Sequence, residues 1–177
     1  MASYTYRSST YEYYRHMRRE VGRMAEDKIG DQTVVQQPSG TGELVVTTFF
    51  RGVSARELFR QWISPELITQ WWPQQAEIDA RDGGEYHLSW PSMDWDLRGT
   101  YTAYNPGSRL AFTWAWDNEP ETPTRQVDVI LEPVGDIGTQ LMLTHGMYTE
   151  STKDQEERQG HLEGWTYFLA RLHNALS

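Results

Sequence analysis

The chain has 177 residues, of which 38% are hydrophobic and 13% aromatic, enough to bury one core but not two. It holds no cysteine, which excludes disulfides, thiolate nucleophiles and cysteine-ligated zinc. The net charge of −9 is uneven: residues 1–30 carry six basic and four acidic groups and the remainder 10 and 21, so the main domain is a poor partner for nucleic acid or anionic membranes.

No apolar run reaches the roughly 18 residues of a membrane-spanning helix, and the opening MASYTYRSST lacks the apolar stretch of a secretory signal. A soluble, cytoplasmic protein without integral membrane association is expected. Residues 11–29 place Tyr14, Met17, Val21 and Met24 at spacings of three and four, the stripe of an amphipathic helix. That stripe reads as docking on the domain or on a second subunit, which leaves a homodimer through this helix open. The polar, Pro- and Gly-containing GDQTVVQQPSGTG then reads as a linker, so residues 1–42 form an extension and 43–177 the domain.

ELVVTTFFR, residues 43–51, is a strand by composition. Ser54, with Glu57 three residues on, caps a short helix that buries Leu58, Phe59 and Trp62, and Ser64-Pro65-Glu66 starts a second that ends at Trp71-Trp72-Pro73. Strands follow over 76–81 and 85–90, joined by Asp82-Gly83-Gly84, then over 94–104, 109–118, 125–133 and 137–146. The stretch RLAFTWAW puts Leu110, Phe112, Trp114 and Trp116 on one face, opposite Ala111, Thr113 and Ala115. From about Asp154, Leu162, Trp165, Phe168, Leu169, Leu172 and Leu176 form the apolar stripe of a long terminal helix. An antiparallel sheet with one apolar face and a helix with an apolar stripe satisfy each other when the sheet curls around the helix.

This order of elements resembles the helix-grip fold of the birch-pollen-allergen and START-like (SRPBCC) superfamily, an α+β fold. Within it, PELITQWWP, RDGGEYHL, LRGTYTAYNPGSRLAFTWAW, GTQLMLTHGM and HLEGW are similar to segments of one branch. That branch is named for the C-terminal domain of the activator of the ninety-kilodalton heat-shock chaperone ATPase. The resemblance covers about residues 43–176 and implies a fold and a cavity between sheet and helix more than a reaction. It also implies chaperone contact as a partner reading, although residues 1–42 are too short to be the additional N-terminal domain of the eukaryotic activator.

The expected lining is Trp72, Tyr86, Leu88, Trp90, Trp95, Tyr101, Phe112, Trp114, Trp116, Val129, Leu143, Trp165, Phe168 and Leu172, with His145 as polar anchor. The same face also reads as packed core. His145 shares the parity of Leu141 and Leu143, and is the one candidate for acid–base work. His87 falls on the opposite, solvated face with Asp94 and Asp96, and His161, four residues before Trp165, is expected to meet the sheet, with an acidic strand residue as its partner. No metal-ligand spacing, nucleophile elbow or dinucleotide fingerprint occurs, so neither metal nor cofactor is expected. The leading reading is binding of a hydrophobic or aromatic small molecule without catalysis. The alternatives are a polyketide cyclase or aromatase using His145, and a chaperone-associated interaction module.

Overall fold

Alternating burial runs along the strands of the computed structural model, which describes residues 34–177. In β2 (Glu43–Arg51), Leu44, Val46, Thr48 and Phe50 are buried while their neighbours are not. The same period recurs in β6 (Arg109–Trp116), β7 (Arg125–Val134) and β8 (Gly138–Gly146), because successive side chains leave a pleated strand on opposite sides. With β1 (Val35–Gln36), β3 (Gln75–Ile78), β4 (Glu85–Trp90) and β5 (Trp95–Asn105), they form one curved antiparallel sheet of eight strands in the order β1-β2-β8-β7-β6-β5-β4-β3. The expected helix over 11–29 lies outside the described residues.

Two short helices, α1 (Ala55–Ile63) and α2 (Pro65–Ile68), follow β2, and the long α3 (Thr152–Ala175) closes the chain. Ser54 caps α1 by accepting from the Glu57 N–H, and Ser151 caps α3 by accepting from the Asp154 N–H. The buried side of α3, with Trp165, Phe168, Leu169 and Leu172, lies in the concave face of the sheet. Near its end, His173 stacks on Phe50 at 3.9 Å and hydrogen-bonds Thr48 at 2.8 Å, which ties the last turn to β2.

Two details depart from the sequence reading, and a bulge adds a third feature that it did not address. Val35 and Gln36, expected in the linker, pair with Thr47 and Val46 as an edge strand. Asp94, expected on the strand with Asp96, instead ends a 3-10 turn over Pro91–Met93 in the left-handed region (φ 55°). A bulge between Tyr101 and Ala103 shifts the register of β5, so Tyr104 turns inward and packs edge-on against Phe59 at 5.4 Å, where unbroken alternation from Tyr101 would point it outward.

Glycine is required at two places that shape the sheet. Gly83 takes φ 71° in the turn between β3 and β4, a conformation costly for a residue with a side chain. At Gly99 a Cβ would lie 2.0 Å from the Thr113 carbonyl oxygen and 2.6 Å from the Tyr86 ring. Tyr86 crosses over this bare backbone and donates to the Thr113 carbonyl at 2.5 Å, while the Thr100 N–H donates to the Thr113 hydroxyl at 2.9 Å.

Candidate functional site: the aromatic interior between sheet and helix

The residues expected to line a cavity do converge. Tyr86, Leu88 and Trp90 from β4, Tyr101 from β5, and Phe112, Trp114 and Trp116 from β6 face α3 and are almost fully buried. Trp72 arrives from the turn after α2, and Trp165 and Phe168 from α3. Val129, Leu143 and Leu172 are buried beside them. Trp95 is the outlier: it is half-buried at the start of β5 and meets Trp116 edge-on at 5.3 Å.

These side chains fill the space they were expected to enclose. Among the described residues, two voids between these side chains each have about 10 Å³, which is the threshold for a single water molecule. One is bordered by Trp62, Tyr86, Tyr101 and Phe112, the other by Trp114, Trp116, His161, Trp165 and Phe168, and Trp72 borders both. In this structure the space between sheet and helix is thus largely occupied by the chain's own rings. The Trp72 indole is the partition, at 5.1 Å from Trp165, 5.7 Å from Trp114 and 6.0 Å from Trp62.

A polar cluster closes the end of this interior nearest the start of α3. His145 is fully buried, and its Nδ1 accepts from the Trp165 indole N–H at 3.1 Å. Its ring stacks on His161 at 4.1 Å and lies 4.9 Å from Trp114. His161 in turn shares a 2.7 Å hydrogen bond between Nδ1 and the Tyr148 hydroxyl, so this nitrogen meets a phenol rather than the acidic strand residue expected. Burial, then the neighbouring His161 and the Arg125 charge, push His145 well below the ordinary histidine range. Burial and Arg125 push His161 down to about 3. Near neutral pH both rings are uncharged, which argues against His145 as a proton shuttle.

Beneath the histidines lies a buried ionic group that the sequence reading missed. Arg125, 3% exposed, donates to Glu157 at 2.7 Å, to Asp154 at 3.1 Å and to the Met147 carbonyl, and its guanidinium covers the Tyr148 ring at 4.6 Å. Burial opposes the charged form of Asp154, yet hydrogen bonds from the Thr149 N–H and Arg125 hold it below the usual carboxylate range. The signal was present: Arg125 has the parity of Val127 and Val129, and Glu157 precedes His161 by one helical turn.

Three buried nitrogens in this interior, Trp62 Nε1, Trp114 Nε1 and His145 Nε2, have no hydrogen-bond partner among the described residues. On the opposite face of the sheet lies an open groove of about 640 Å³, bordered by Glu77, Asp79, Glu85, His87 and Arg98. His87 was expected to be simply solvated, but it is half-buried and bonded to Asp96 at 2.6 Å, and Arg98 is paired with Asp117 at 2.7 Å. Among the described residues no cluster of ligands suited to a metal ion occurs, and no helix is long and apolar enough to cross a membrane.

The fold is shared with solved structures of low sequence identity. A Rhodobacter sphaeroides protein superimposes with a TM-score of 0.68 at 18% identity, over 81% of this chain and 97% of its own. An HSP90 activator from Plasmodium falciparum gives 0.62 at 24% identity, over 76% and 96%. DynU16, from the dynemicin biosynthetic locus, gives 0.64 at 18% identity, over 78% of this chain and 48% of its own. No curated protein matches the chain in sequence. At such identities these neighbours establish the helix-grip architecture alone, whereas the model of one sequence family, described as "Activator of Hsp90 ATPase homolog 1-like protein", matches residues 52–177. With most of the domain covered by that match, the chain belongs to the family of activator of Hsp90 ATPase homolog 1-like proteins.

Proposed function

We propose that the protein reversibly binds an apolar, aromatic small molecule between the curved sheet and α3, without transforming it. The observation that carries this reading is a set of three buried nitrogens without partners, on Trp62, Trp114 and His145, of which the first two border two voids that share the Trp72 ring as a wall. A buried polar group left unpaired costs about 1–3 kcal/mol, and a core built only for stability would carry leucine or phenylalanine at Trp62 and Trp114. Displacing Trp72 joins the voids and brings the ligand against Trp62, Trp114 and Trp165.

The likeness to DynU16, a protein of a biosynthetic locus, accords with a small-molecule ligand. A cyclase reading is less favoured, because a fully buried His145 held neutral serves as a hydrogen-bonding anchor rather than as a proton carrier. Native mass spectrometry of the purified protein, followed by organic extraction, tests the proposal. A stoichiometric apolar aromatic compound is the expected result. A clean mass of the bare chain, together with no change in tryptophan fluorescence across a panel of aromatic probes, overturns it.

A further inference from the structure

Resting on that binding reading, we infer that the ligand is an uncharged aromatic molecule whose polar groups accept hydrogen bonds without donating them, as a ring ketone does, and that it takes the place of the Trp72 indole. The inference follows from where the hydrogens lie. An indole nitrogen only donates, so Trp62 Nε1 and Trp114 Nε1 are two buried donors without an acceptor. At His145, Nδ1 receives the Trp165 N–H and therefore presents its lone pair. A neutral imidazole has one ring hydrogen, which must then be on Nε2, the atom without a partner. All three orphaned atoms are thus donors.

No wholly unpartnered acceptor matches them. Among the described residues no buried side-chain oxygen lacks a partner. The Tyr86 hydroxyl donates to Thr113, the Thr139 hydroxyl to Val53, and Thr48 pairs with His173. A water or an alcohol placed against Trp114 would accept one hydrogen bond but bring hydrogens of its own into a void bordered by Trp72, Trp116, His161, Gly164, Trp165 and Phe168, none of which has a side-chain oxygen. A ketone oxygen has two lone pairs and no hydrogen to place. A carboxylate would also accept, but Arg125 is already matched by Asp154 and Glu157, and an unpaired charge is strongly disfavoured in this interior.

The seat is set by how the rings are held. Trp71 is fixed by its indole N–H bond to the Gln61 carbonyl at 3.1 Å. Trp72 has no side-chain hydrogen bond among the described residues and is held by ring packing in the turn before β3. A flat molecule in its place would contact the indoles of Trp62, Trp114 and Trp165 that Trp72 contacts now.

The test uses 1-indanone and indane, two bicyclic frames of indole size that differ by one carbonyl oxygen. Both are titrated by calorimetry into the full chain and into the Trp72→Ala variant, with the indole N–H resonances followed by NMR. The expected result is at least about tenfold tighter binding of 1-indanone, the equivalent of one well-made hydrogen bond. The Trp62 or Trp114 N–H signals should shift downfield, and adding Trp114→Phe should shrink the preference. Equal affinity for the two frames overturns the acceptor inference and leaves the binding reading standing. Binding of 1-indanone that moves neither indole signal overturns the seat. Failure of both frames to bind either protein overturns the binding reading and this inference with it. Should Trp72→Ala not fold, the wild-type titration and Trp72→Leu decide the same question.

Discussion

Acid should loosen this domain well before its carboxylates protonate, and His161 shows why. Its ring is enclosed by Tyr148, His145 and Trp114, with the Arg125 charge nearby, and burial is the main cause of a pKa of about 3 against 6.5 for a free histidine. Below pH 6.5 the unfolded chain takes up a proton that the folded chain refuses. The stabilisation is therefore complete above pH 6.5 and is lost as pH falls towards 3. At pH 4.5, two units into that window, this one group costs about 3 kcal/mol, a large part of the 5–15 kcal/mol that typically holds a domain folded. His145, displaced in the same direction, adds to the loss. Asp154 acts lower, because its depressed pKa preserves its contribution until pH falls below the ordinary aspartate value of 3.8. Urea unfolding between pH 7.5 and 4.5, compared with His161→Gln, isolates the effect, since the amide still offers Tyr148 a hydrogen bond but does not titrate. The wild type should lose about 2–3 kcal/mol more than the variant across this range. Parallel curves for the two proteins would refute the reasoning.

Two further substitutions probe the supports of the interior. Arg125→Met leaves Asp154 and Glu157 buried without their cation, and should cost about 3–5 kcal/mol in urea unfolding, whereas a loss below about 1 kcal/mol would show that the carboxylates relax into solvent. Gly99→Ala forces a methyl group against the Thr113 carbonyl and the Tyr86 ring, so destabilisation of about 1–3 kcal/mol is expected. An unchanged melting temperature, with the Tyr86 ring signals unmoved, would mean that β5 and β6 separate freely at that point.

Much of the architecture was legible in the sequence because periodicity reports the face a side chain takes within its own element. Leu110, Phe112, Trp114 and Trp116 are all buried as their alternation requires, Ser54 caps its helix, and Trp165, Phe168 and Leu172 mark the gripped side of α3. Periodicity turned His161 towards the sheet, but the sequence reading left Arg125 and Glu157 off the inner faces that they occupy, and it could not pair any of the three. Arg125 meets Asp154 and Glu157 across separations of 29 and 32 residues, a contact that exists only once β7 and the start of α3 are docked. His161 found a tyrosine rather than a carboxylate for the same reason. The bulge that turns Tyr104 inward and the rings that fill the expected cavity were likewise beyond a face-by-face reading. Which face is buried is a property of one element and its local period. Whether the buried space is full, and which of its donors go unanswered, depends on the volumes and hydrogen bonds that several elements bring to the same place, and only the tertiary structure decides that.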